Sequence, residues 1–228
     1  MTYKIGIIGA GDIACKVYLP QLVERDDCKV IAIYSRTRGP ASELAKKYGI
    51  EDVYDDLHEF LERSGIDSVF VCTPTDTHFE IAQAALKYSK NVLIEKPLTT
   101  IYQNDSSLLK LARLQSKTFS VAFNNYHREE NQWLRREVLA GNLGEIQIIN
   151  LEWYRAQPFP SFGSHQGAQP SGVLMHLGAK LFNVALGLLP ERRSFTAVCQ
   201  NLKRSSGSTP DEDTSTSSIV IDEKVILN

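Results

Sequence analysis

The chain has 228 residues, 43% of them apolar and 23% charged, a balance that fits a globular protein and excludes a disordered, collagenous or coiled-coil one. Its 25 basic and 27 acidic side chains leave a formal charge of −2 and a pI near 6.2, so nothing pulls it towards nucleic acid or a membrane surface, and a small-molecule partner is expected. Cys15, Cys28, Cys72 and Cys199 show no CxxC spacing; they read as buried thiols, with neither a zinc site nor a disulfide framework.

Residues 1–8, MTYKIGII, pass straight into a strand-like run without a charged leader, and no apolar stretch approaches the ~20 residues of a membrane span, which gives the expectation of a cytoplasmic protein. Strands are expected at 3–8, 29–34, 68–72, 91–94 and 118–123. Between them, 12–23, 41–48, 57–63, 77–88 and 105–115 carry apolar residues at three-to-four spacing, as helices with one buried face do. Strands alternating with crossover helices imply an α/β fold built on a doubly wound parallel sheet, over residues 1–127.

A further amphipathic helix is expected at 130–140 and a strand at 145–154, opening a second, α+β domain over 128–228 with an open, mostly antiparallel sheet. That domain holds one long helical stretch, 173–189, and β-like pieces at 194–202, 218–221 and 224–227. The run SSGSTPDEDTSTSS, 205–218, has no apolar residue and reads as a loop between strands.

The segment IGIIGAGDIA ends a β-run and enters a helix, placing Gly9, Gly11 and Ala14 in the G-x-G-x-x-A pattern of a dinucleotide-binding turn. Gly9 permits the tight turn, Gly11 lets backbone approach a pyrophosphate, and Ala14 allows close helix-to-strand packing. Asp12 and Ile13 open a helix whose N–H groups face the phosphates. After the second strand, where NAD-binding proteins usually carry an acidic side chain for the ribose, the chain reads Tyr34-Ser35-Arg36-Thr37-Arg38. Two guanidinium groups and two hydroxyls, with no carboxylate at hand to repel it, suit a 2′-phosphate, so NADP is expected, with NAD as the alternative.

The stretch VFVCTPTDTHFEIAQAALKYSKNVLIEKPL, 69–98, resembles the Gfo/Idh/MocA family of oxidoreductases, and GDIACKVYLPQL, 11–22, is most similar to its MviM-like group. The resemblance runs through Thr73-Pro74, His78, Glu95-Lys96-Pro97 and Phe123-Asn124, and weakens in the second domain. It implies hydride transfer between a nicotinamide and a sugar, polyol or related carbonyl compound, with Thr73, Pro74, His78, Glu95, Lys96 and Asn124 on the cofactor side. Lys96, at the carboxyl end of a parallel strand, would hydrogen-bond a substrate oxygen and stabilise developing charge.

The resemblance also implies an Asp, a His four residues later and an acidic residue three further on. The matching segment SGVLMHLGAKLFN instead presents His176, Lys180 and Asn183, whose spacing of four and three keeps all three on one helical face. His176 is a candidate proton donor or acceptor and Lys180 a second cation able to depress the Lys96 ammonium pKa. Two readings stand at this point: an active oxidoreductase with Lys96, His176 and Lys180 in its site, or a cofactor-binding sensor whose cations hold an anion. His58 reads as a helix-surface residue, while Tyr126, His127 and His165 read as loop residues within possible reach of a crevice. No metal site is expected. Relatives are longer, and this chain stops on KVILN, so a truncated form or an edge covered by another subunit is expected. Leu151, Trp153 and Val198 are the expected apolar face of a homodimer.

Overall fold

The computed structural model describes residues 2–63, 65–99, 101–153, 172–189, 195–202, 214–221 and 225–227. The chain divides into two compact units, Met1–Ala122 and Phe123–Asn228. The division falls before the 3-10 turn Asn124–His127, because that turn packs with the two helices of the second unit.

In the first unit six parallel strands lie in the order β3-β2-β1-β4-β5-β6, where β1 is Tyr3–Ile8, β2 Cys28–Tyr34, β3 Asp52–Tyr54, β4 Ser68–Val71, β5 Asn91–Glu95 and β6 Phe119–Ala122. The order reverses between β1 and β4, the switch point at which open α/β sheets bind ligands beyond the strands' carboxyl ends. Both sheet faces are covered, which is why the strands read as near-continuous apolar runs. On one face Ile8, Tyr34, Val69 and Ile94 pack with Phe60 of α3 (Leu57–Arg63), Leu86 of α4 (His78–Lys87) and Leu108 of α5 (Tyr102–Leu114). On the other, Ile5, Ile7, Val30 and Ile33 pack with Leu19 and Leu22 of α1 (Leu19–Leu22) and Leu44 of α2 (Arg38–Tyr48). A π-helical turn, Ala14–Tyr18, leads into α1.

The second unit contains α6 (Glu129–Leu139), a π-helical turn Leu174–Gly178 continued by α7 (Ala179–Leu188), and a four-stranded sheet in the order β7-β10-β9-β8. Its strands are β7 (Ile148–Ile149), β8 (Phe195–Leu202), β9 (Thr214–Ile221) and β10 (Val225–Leu227), antiparallel except where β10 meets β7. Arg135 Nε donates to the Gly187 carbonyl at 3.2 Å, tying α6 to α7.

Three sequence expectations change here. The strand at 145–154 contracts to Ile148–Ile149, the length that pairing with Ile226 and Leu227 supports. The expected loop 205–218 gives way to strand from Thr214, since Thr214–Ser218 pair with Val198–Leu202; residues 205–213 lie outside the described set, as does Tyr154. Leu151 does not face outward: with Ile149 it packs against the buried Ala185 of α7.

Candidate cofactor and active site

The carboxyl ends of β1, β2, β4 and β5 carry the candidate residues of the first unit. Gly9 leaves β1 with φ +106°, a conformation that side chains rarely adopt, and a Cβ there would lie 3.0 Å from the carbonyl carbon and oxygen of Cys72. Its N–H donates to the Tyr34 carbonyl at 2.8 Å, which holds the turn between β2 and β4. At Gly11 a Cβ would meet nothing within 4 Å, so backbone is open to the surroundings where the pattern expects a pyrophosphate. Ala14 is fully buried, as close packing of the following turn requires. Asp12 is exposed and bonded to Lys16 at 2.9 Å, and Ile13 is also exposed. These are the features of a turn shaped for a dinucleotide.

The segment after β2 differs in one respect from its sequence reading. Ser35 Oγ accepts from the Thr37 N–H at 3.3 Å, and α2 starts at Arg38. Pairing of Tyr34 with Tyr54 in the neighbouring strand brings a carboxylate, Asp55, to 3.5 Å from Arg38. The expectation that no carboxylate is at hand is thereby corrected: Arg38 has an acidic partner, while Arg36 is exposed and has no ion-pair partner among the described residues.

β5 ends in Glu95, and the following Lys96–Pro97 peptide is cis. One Glu95 oxygen accepts from the Tyr18 hydroxyl at 2.8 Å and the other from the Lys96 N–H at 3.2 Å. Burial, together with the Glu95 carboxylate, raises the Tyr18 pKa far above that of a free phenol, so this hydroxyl remains a donor at neutral pH. The same two causes raise the Cys72 thiol, which therefore stays protonated and inert. Tyr18, set edge-on to Phe70 with ring centroids 5.4 Å apart, is the residue that sequence reasoning missed. Its only signal was an aromatic two turns into the glycine-turn helix.

Thr73 and Pro74 follow β4, and the Thr77 hydroxyl lies 2.8 Å from Thr73 Oγ1 and 2.7 Å from the Pro74 carbonyl. His78 is 1% exposed. Its Nε2 is 2.9 Å from the Thr73 carbonyl, and its Nδ1 is 3.0 and 3.1 Å from those of Pro97 and Leu98. Both ring nitrogens thus face backbone carbonyls.

In the second unit, Asn124 is exposed at the start of its 3-10 turn, beside Tyr126 and His127, whose rings meet edge to face. The backbone of His176 lies in the π-helical turn, and Lys180 and Asn183 lie three residues apart within α7. The Lys180 ammonium sits 5.2 Å from the Trp153 ring centroid, and Asn183 Oδ1 is buried with no hydrogen-bond partner among the described residues. His165 lies outside the described residues. His58 is exposed against the Tyr88 hydroxyl, as expected. Cys199 is exposed on β8, not buried, while the other three cysteines are half-buried. No metal-binding group is found among the described residues.

Residues 3–123, the whole of the parallel sheet, match the Gfo/Idh/MocA oxidoreductase family with its NAD-binding Rossmann fold. The chain belongs to this family. It is 30% identical to D-glucoside 3-dehydrogenase of Escherichia coli over 82% of its length and 54% of that protein. It is 28% identical to dTDP-3,4-didehydro-2,6-dideoxy-alpha-D-glucose 3-reductase of Streptomyces antibioticus over 88% of its length and 61% of that protein. The chain therefore spans little more than half the length of these curated relatives. Among solved structures, scyllo-inositol dehydrogenase of Lactobacillus casei with bound NAD(H) and scyllo-inositol superposes with a TM-score of 0.81 at 20% identity, covering 100% of this chain and 69% of that one. A probable dehydrogenase of Thermotoga maritima gives 0.85 at 23% identity, covering 98% and 67%. At these identities the likeness establishes the fold.

Proposed function

We propose that the chain is an NADP(H)-dependent oxidoreductase acting between the nicotinamide and a sugar, polyol or related small carbonyl or hydroxyl substrate. The observation that carries this reading is the Tyr18–Glu95–Lys96 linkage: a half-buried hydroxyl holds Glu95, which holds the Lys96 backbone, at the carboxyl end of β5. A lysine so placed at the carboxyl end of the sheet can donate to a substrate oxygen and stabilise negative charge there. The cofactor, when bound, supplies the carbon that gives or takes hydride. The relatives named above act on a glucoside, a deoxysugar nucleotide and an inositol, which supports a polyhydroxylated substrate.

Gly9, Gly11, Asp12 and Ile13 would hold the pyrophosphate through backbone, with Thr73, Pro74, Glu95, Lys96 and Asn124 on the nicotinamide side. Ser35, Arg36 and Thr37 would hold a 2′-phosphate, with Arg36 the principal cation, since Asp55 offsets Arg38. Residues 1–127 would serve as the dinucleotide-binding part and 128–228 as the substrate and dimer part, with His176 and Lys180 on the substrate side. A homodimer is proposed through a sheet face on which Val198 is 71% exposed and Ile148 56% exposed. No helix among the described residues is long and apolar enough to cross a membrane. A cytoplasmic location is proposed.

The test is a screen of sugars and polyols, with their oxidised forms, followed by nicotinamide absorbance in the parent and in Lys96→Ala. Turnover of a substrate that is lost in Lys96→Ala at cofactor concentrations that saturate the variant supports the reading. Confirmed cofactor binding with no turnover across the screen counts against it.

A further inference from the structure

His78 stands at the first residue of α4, yet its ring reaches across to the segment that follows the neighbouring strand β5. The three atoms facing its nitrogens are all backbone carbonyl oxygens, those of Thr73, Pro97 and Leu98. A carbonyl accepts and never donates, so the ring meets these oxygens as a donor. The turn after β4 is already closed on itself by Thr77, through its hydroxyl and its N–H to Pro74. The segment after β5 is anchored at its far end by buried Thr99, whose hydroxyl meets Asp105 Oδ1 at 2.6 Å and the Ile101 carbonyl at 2.8 Å. Between these two loops the imidazole is a cross-tie, and at 1% exposure water does not compete for its bonds.

We infer that His78 is a positioning residue, whose ring sets the Thr73–Pro74 turn and the Lys96–Pro97 segment at a fixed separation through the Thr73, Pro97 and Leu98 carbonyls. This rests on the proposed reading of both loops as parts of one cofactor site. Thr77 bonds within the turn after β4, while the segment after β5 is held by Thr99 at one end and through Glu95 by Tyr18 at the other, so cutting one side of the tie frees first the loop on that side.

The two amide side chains separate the two sides. In His78→Asn the amide nitrogen falls near the place of Nδ1 and retains the donor to Pro97 and Leu98. In His78→Gln it falls near the place of Nε2 and retains the donor to Thr73. Hydrogen exchange followed by mass spectrometry should show faster exchange at 73–77 but not at 97–101 in His78→Asn, and the reverse in His78→Gln. Cofactor affinity should fall by up to about tenfold in each variant, as for one lost buried bond. His78→Ala should show both exchange changes if it folds. Identical exchange patterns in the Asn and Gln variants, or parent-like protection of both loops in either, overturn the inference. If the parent itself binds neither NADH nor NADPH, the proposed function fails, and the exchange patterns alone decide the role of His78.

Discussion

Gly9 and Gly11 stand two residues apart in one motif, yet alanine should do opposite things at the two positions. At Gly9 the added methyl enters a backbone with φ +106° and lies 3.0 Å from the Cys72 carbonyl and 3.1 Å from Thr73 Cγ2. A strained dihedral costs about 1–3 kcal/mol and a forced contact against backbone about as much again, so Gly9→Ala should lose about 2–6 kcal/mol. That is a large part of the roughly 5–15 kcal/mol that holds a domain together. At Gly11 the methyl meets nothing within 4 Å and the backbone is not left-handed, so the fold tolerates it. Restricting the unfolded chain should even add about 0.4–1 kcal/mol. The same methyl would occupy the space through which backbone approaches a pyrophosphate, and a loss of roughly 1.4 kcal/mol there weakens cofactor binding about tenfold. Urea unfolding followed by circular dichroism, paired with fluorescence titration of reduced cofactor, reads both quantities. A Gly9→Ala chain as stable as the parent, or a Gly11→Ala chain that loses stability while retaining affinity, would refute the division of labour.

Tyr18→Phe removes the donor that holds Glu95 and should cost about 1–3 kcal/mol of stability, read by denaturant titration; no change would mean that water replaces the hydroxyl without loss. Phe60 is fully buried between α3 and the sheet, so Phe60→Ala should cost about 3–5 kcal/mol, and a loss under about 1 kcal/mol would contradict its place in the core. Light scattering at micromolar concentration should give twice the chain mass; a monomer would dispose of the proposed homodimer.

How much of this was legible in the sequence depended on whether local pattern or distant pairing decided each element. β1 and α3 were readable to the residue, because a buried apolar run and an amphipathic period are local properties. β3 was not. Its three residues, Asp52–Tyr54, are half-buried or exposed at the sheet edge and carry no alternation long enough to register, yet their pairing with β2 is what delivers Asp55 to Arg38. The serines and threonines of Thr214–Ser218 looked like loop because composition was the only guide, whereas a facing strand converts them to ladder. At the candidate site the glycine turn and the Glu95-Lys96-Pro97 segment were visible as motifs. What holds them was not: Tyr18 meets Glu95 across 77 positions of sequence, and the His78 ring meets Pro97 and Leu98 only because β4 and β5 are neighbours.

The central claim, a dinucleotide site tuned for the 2′-phosphate by Arg36, is tested most directly by calorimetric titration of the parent chain and of Arg36→Ala with NADPH and with NADH. The account predicts tighter binding of NADPH by the parent. It also predicts that Arg36→Ala loses about 1.5–3 kcal/mol towards NADPH, the value of a hydrogen bond to a charged group, with little change towards NADH. Equal affinities of the parent for the two cofactors would contradict it.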